Sequence, residues 1–194
     1  YIDLGEFAKA RALLDLLIKS WTATLGPDHP KVLSLRANRA NLLYFAGDFT
    51  GCRDAHREIL GKREVINGPN SPAVANSLDA LGACENKAGE AETGRDHLER
   101  SVAIFKAVRG PTHPDTLAAM SDLAGSYSAL GDHAHALTIN QELLAIRERT
   151  TPKDHPDLGI SLVNIGIEAK NAGQVALAIS YQERAIGIFE RSLG

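Results

Sequence analysis

Apolar residues at positions 7, 10, 14, 17, 18, 21 and 25 fall at steps of three and four. That rhythm gathers them on one side of a helix and predicts a helix over residues 6–25. Gly26 and Pro27 end it, because glycine tolerates the left-handed conformation and proline cannot continue a helix. Pro30 then suits a first helical position, where its missing N–H would have had no partner anyway. Asp28 lies just upstream, at or near the capping position, as do Asn70, Thr112 and Asp154 before later helices. The next helix is expected over 31–46, ending at Gly47. Asp48 opens the one after, which runs to about Ile66, with a carboxylate suited to the helix dipole.

The same pattern recurs over 72–88 and 90–108, 114–130 and 132–150, and 156–172 and 174–193. The prolines at 30, 72, 114 and 156 stand 42 apart, and Gly5, Gly47, Gly89, Gly131 and Gly173 keep the same step. Two marks in one period, with no slip, identify an internal repeat. No strand candidate survives that period. The expectation is an all-α fold of antiparallel helix pairs in a single array over 1–194. It has a partial repeat at 1–26 and complete repeats at 27–68, 69–110, 111–152 and 153–194. Tyr1 aligns with Leu43 and Tyr127, and Gly194 with Gly26, Gly68 and Gly110. The chain therefore reads as a piece of a longer array or of a larger protein.

Aligning the repeats exposes two columns of small residues. One holds Ala10, Cys52, Gly94, Ala136 and Ala178; the other holds Ala40, Gly82, Ala124 and Gly166. They fall on opposite helices of the pair and mark where two backbones cross closely. The column before the second holds Arg39, Leu81, Leu123 and Ile165.

These columns resemble the tetratricopeptide repeat in its long, 42-residue form, the kind found in kinesin light chains. The resemblance rests on Leu81-Gly82, Leu123-Ala124 and Ile165-Gly166, on Tyr127, on the turn glycines, on Ala136 and Ala178, and on His29-Pro30, His113-Pro114 and His155-Pro156. It covers essentially the whole chain. Arg36 and Arg39 depart from the apolar pattern, Ser71 replaces a histidine, and the family aromatic is missing at Glu85 and Ala169. The resemblance implies a right-handed superhelix, an α-solenoid, whose concave wall is built by the first helix of each pair. It also implies a protein-interaction scaffold that holds a peptide or partner segment in that groove. By register, the polar residues of the wall are Asn38, Asn41, Asn76, Asp79, Ser121, Asp122, Asn164 and Lys170. An asparagine amide offers both donors and an acceptor to an extended backbone.

Composition narrows the picture. Aromatics are few, at 5%, so closely packed small residues must carry much of the helix contact. The formal net charge is −3, from 21 basic and 24 acidic residues, which gives no footprint for nucleic acid. No basic run suggests a membrane surface, no apolar run approaches the ~18 residues of a spanning helix, and no signal peptide is visible. Cys52 and Cys84 match neither a CxxC site nor a disulfide framework. They read as buried small hydrophobes in a reduced, cytoplasmic setting.

The chemistry is sparse. His29, His113 and His155 share one column, but neighbouring helices pack about 8–10 Å apart, and zinc needs its ligand nitrogens near 2 Å. Such a row cannot converge, so each histidine is expected to close the loop before its own helix. His133 and His135 point to different sides of a helix start, and His56 and His97 fall on second helices. There is no GxSxG, no HExxH, no phosphate loop and no Cys/His pairing that the period would bring together. No enzyme activity, metal or cofactor is expected. The charges at Arg147-Glu148-Arg149 and Glu183-Arg184 read as solvated faces with i,i+4 pairing. Two other classes fit the same residues: a regulatory or sensor segment of a larger signalling enzyme such as a kinase or NTPase, and a self-association module.

Overall fold

A computed structural model of the chain describes residues 4–193 of the backbone and the side chains of residues 7–192. Among the described residues there are nine helices and no strand. They are α1 (Leu4–Leu25), α2 (Pro30–Phe45), α3 (Phe49–Asn67), α4 (Pro72–Ala88), α5 (Ala91–Arg109), α6 (Pro114–Ala129), α7 (His133–Thr150), α8 (Pro156–Asn171) and α9 (Val175–Leu193). The fold is all-α, of consecutive helix pairs. Gly5, in phase with the turn glycines, lies inside the first turn of α1 instead. Tyr1 and Gly194 lie outside the described residues.

The starts of the first helices carry a correction. The caps are the histidines themselves, one residue after the positions expected. Nδ1 of His29, His113 and His155 accepts the N–H of Lys31, Asp115 and Asp157 at 3.2, 3.1 and 3.2 Å. Ser71 does the same work with its hydroxyl, accepting from Val74 at 3.3 Å. Asp28 and Asp154 instead take Lys62 and Arg191 at 2.5 and 2.6 Å. At the second helices, Asp48 and Asp132 cap as carboxylates, accepting from Gly51 and His135. Gly89 closes α4 in the left-handed region, at φ 89°, where any other residue would be strained.

The chain divides into two compact units, Tyr1–Val108 and Arg109–Gly194. In the first, α4 buries Val74, Leu78 and Leu81 and α5 buries Leu98, Ile104 and Phe105. Each such side chain contributes roughly 1.5–3 kcal/mol on burial. The helices cross at Gly82 and Gly94. A Cβ on Gly82 would lie 2.7 Å from the Gly94 carbonyl oxygen and 2.7 Å from Leu98 Cγ. In the second unit, Leu137, Leu144, Leu158, Leu162, Ile165, Ala169, Ala185 and Ile188 form a continuous core. Gly166 packs there within reach of the Ala178 carbonyl, so the small columns mark crossings in both units.

Polar clamps recur with the period. Arg63 of α3 donates to Ser77 Oγ of α4 at 2.9 Å, and two repeats later Arg147 of α7 donates to Ser161 Oγ of α8 at 2.6 Å. Arg36 and Arg39, which break the apolar pattern, are satisfied within the chain. Arg39 meets Asp15 of α1 at 2.5 Å, and Arg36 meets Glu58 of α3 at 2.7 Å. Glu85, where the family aromatic is missing, is completely buried. Its carboxylate accepts from Arg57 at 3.0 Å and lies 2.6 Å from His97 Nδ1. Glu148 and Arg184, expected to pair along their own helices, pair with each other across α7 and α9 at 2.5 Å.

Candidate functional site

The eight candidate residues lie on first helices, as the register demands. On α2, Asn38 and Asn41 are exposed; on α4, Asn76 is exposed and Asp79 half-buried. Ser121 and Asp122 on α6, and Asn164 and Lys170 on α8, are exposed. Asn41, Asn76 and Asp79 are already engaged by the fold. Asn41 Oδ1 lies 2.9 Å from His56 Nε2, and Asn76 Nδ2 donates to the Pro72 carbonyl at 3.0 Å. Among the described residues, the side chains of Asn38, Ser121, Asp122, Asn164 and Lys170 take no hydrogen-bond or ion-pair partner.

Within the second unit, Ser121 and Asn164 come together. They line one open hollow of ≈ 210 Å³ with Ser128, Asn140, Ile167 and Glu168. Asp122 and Lys170 stay outside it. Glu168 is 8% exposed and is held in place by Ser128 Oγ at 2.8 Å and His133 Nδ1 at 2.9 Å. Asn140 and Glu168 were not among the expected wall residues. Asn140 sits on a second helix, which the first-helix rule passes over. Glu168 falls one residue from a core column, where an acid carries no visible signal.

Asp122 exposes area to solvent, yet protein surrounds it closely. The resulting desolvation holds its carboxyl above the usual carboxylate range, and no cation offsets it. Within the first unit, a hollow of ≈ 250 Å³ is walled by Asp15, Arg36, Arg39 and Glu58. Its charges already pair, and the hydrogen bond from Arg36 holds the Glu58 carboxyl below the usual range. None of the candidate asparagines enters it.

One cluster overturns the sequence reading. Cys52 and Cys84 are not separate thiols; they form a disulfide, with Cα atoms 5.9 Å apart, that ties α3 to α4. Nor does the chain lack a Cys/His grouping. Cys52, His56 and Cys84 bring one ligand-type atom each within 4.8 Å of one another, and all three are buried. Cys52 and His56 are four residues apart on one helix, so they share a face. That spacing was the available signal. The period hid it, because Cys84 comes from a different column of the next repeat.

Tetratricopeptide repeat family profiles match residues 1–31 and 74–149, together more than half of the chain. The chain belongs to the tetratricopeptide repeat family. Among curated relatives, it is 25% identical over 175 residues to Protein KINESIN LIGHT CHAIN-RELATED 2 of Arabidopsis thaliana, covering 90% of this chain and 26% of that protein. It therefore spans about a quarter of that relative's length. Solved structures agree on the fold. The putative kinesin light chain of Podosopora anserina superposes with a TM-score of 0.84 at 22% identity, covering 97% of this chain and 89% of that one. BtubC (BKLC) from P. vanneervenii gives 0.87 at 20% identity, covering 98% and 76%. The repeats are thus of the kinesin-light-chain-like type, and the tetratricopeptide repeat fold serves in general as a scaffold for protein–protein interaction. Among the described residues, no helix is long and apolar enough to cross a membrane.

Proposed function

We propose that the exposed faces of the first helices bind an extended or helical polypeptide segment through polar contacts. The observation that carries this reading is the hollow of the second unit, where Ser121 and Asn164 meet with no partner of their own. A main chain laid along that face would find hydroxyl and amide donors and acceptors beside exposed Ile167, which is 46% exposed. The uncompensated Asp122 favours a neutral or basic segment over a strongly acidic one. In the first unit, Asn38 supplies the equivalent contact. The working compartment in this reading is the cytoplasm, where the Cys52–Cys84 bond would be open to reduction by glutathione.

The test is a selection of random dodecapeptides on the immobilised chain, followed by calorimetry of the recovered peptides against variants. Ser121→Ala with Asn164→Ala should weaken a peptide that docks on the second unit by about 1–3 kcal/mol, the penalty for leaving buried polar groups unpaired. The denaturant midpoint of the same variant should stay put. Unchanged affinity in that variant and in Asn38→Ala, with loss on changing exposed residues of α5, α7 or α9, would place binding on the outer surface.

A second reading has its own observation. Leu13 and Leu16 of α1 are 62% and 65% exposed, and Val175, Ile179 and Ile186 of α9 are 57%, 52% and 56% exposed. Apolar faces of that kind favour self-association. Light scattering over a concentration series separates the two: a constant mass leaves the peptide-binding reading, and a rising mass that falls in Leu13→Gln, Leu16→Gln supports self-association.

A further inference from the structure

His56 is the group that the disulfide leaves unexplained. It is 1% exposed, and its Nε2 faces Asn41 Oδ1 at 2.9 Å. A carbonyl oxygen can only accept, so Nε2 carries the proton and Nδ1 presents its lone pair. That Nδ1 is buried without a hydrogen-bond partner. Buried polar atoms without partners are rare in folded proteins and call for a reason. Around this imidazole stand the sulfurs of Cys52 and Cys84, 0% and 2% exposed.

We propose that, once the Cys52–Cys84 bond is reduced, the two thiolates and His56 Nδ1 bind one thiophilic d¹⁰ cation, Zn²⁺ or Cu⁺. The donor set matches that ion class, since thiolates and imidazole select soft or borderline metals over calcium and magnesium. The outer contact is also in place. Metal-bound histidines regularly give their second ring N–H to a carbonyl oxygen, which fixes tautomer and ring orientation, and Asn41 occupies that role. The charges suit the interior best with zinc: two thiolates with Zn²⁺ sum to zero, whereas with Cu⁺ they leave one negative charge in the core. With the sulfurs no longer bonded, side-chain rotation separates them to the ~3.8 Å set by Zn–S bonds of about 2.3 Å at a tetrahedral angle.

The steps balance with a phosphine as reductant. Tris(2-carboxyethyl)phosphine and one water reduce the disulfide to two thiols, and the phosphine leaves as its oxide. Metal binding then displaces the two thiol protons to solvent. In a reducing compartment the glutathione pool supplies the same two electrons and becomes oxidised glutathione. The disulfide and the metal complex are therefore alternative closures of one α3–α4 contact.

The experiment reduces the whole chain with the phosphine, removes excess reagent, and adds zinc chloride or acetonitrile-complexed Cu⁺ against a competing chromophoric chelator. Helicity and melting are followed by circular dichroism. The expected result is one equivalent bound and a rise in melting temperature. Cys84→Ser should lose binding at least a hundredfold, and Asn41→Ala should lose roughly ten- to a hundredfold. The two arms decide between the ions by which binds at one equivalent. If the reduced chain unfolds without metal, restoration of helicity by one equivalent supports the site. A folded reduced chain that binds neither ion overturns it, and so does failure of metal to refold an unfolded one. Binding that is unchanged in both Cys84→Ser and His56→Gln also overturns it. The oxidised chain should bind no metal in either arm.

Discussion

Glu85 Oε2 and His97 Nδ1 lie 2.6 Å apart across α4 and α5, with the Glu85 carboxylate completely buried. The acid stands in a column where the repeat favours an aromatic ring. It is accepted there because a second helix supplies His97 and the helix before supplies Arg57. His133 and Glu168 make a comparable bond in the second unit. His97→Ala leaves a buried carboxylate short of a partner and should destabilise the chain by about 1–3 kcal/mol. His113→Ala removes only an N-cap at a partly exposed start and should fall at about 0.5–1 kcal/mol. Urea midpoints of the two variants compare them directly, and a larger loss for His113→Ala would reverse the roles assigned to these histidines.

Gly82→Ala tests the helix crossing. Alanine is favoured over glycine inside a helix by about 1 kcal/mol, so the substitution would stabilise an open site. Here the new methyl meets the Gly94 carbonyl and Leu98 at 2.7 Å. Backbone cannot yield cheaply, and overpacking should prevail with a net loss of about 1–3 kcal/mol. Guanidinium unfolding measures it, and a gain in stability would mean that the helices can separate at little expense.

Asp122 provides the pH-dependent test. Desolvation raises its folded pKa above the unfolded value, so its contribution to stability is greatest when it is protonated at low pH. That contribution is lost as pH rises through the folded pKa. Asp122→Asn should therefore be more stable than the parent at pH 7, with the gap closing as pH falls below the ordinary aspartate value near 4. Melting curves from pH 3 to pH 7 follow the gap. A difference that grows toward low pH would show that the carboxylate is stabilised by a cation.

The helices were legible because two independent marks repeat. Pro30 and Gly47 set phase, and every later helix inherits it. The capping histidines were legible only as loop-closing residues, since a ring that accepts from the N–H two residues on needs an extended backbone to be seen. His29 shows this, at φ −63° and ψ 137°. Long-range partners were not legible. Nothing at position 39 announces Asp15, and nothing at position 85 announces His97. The Cys52–Cys84 bond belongs to the same class, because a column alignment compares equivalent positions and this bond joins non-equivalent ones. Of the candidate wall, Ser121 and Asn164 stayed available and came together, while Asn41 and Asn76 were drawn into the fold itself.

The central claim is that first-helix faces bind a polypeptide segment. Amide hydrogen exchange, with and without a saturating dodecapeptide recovered from the selection, tests it most directly. Binding should slow exchange on α2 and α4, or on α6 and α8, around Asn38 or around Ser121 and Asn164. Protection confined to α3, α5, α7 or α9, with the first helices unchanged, would contradict it.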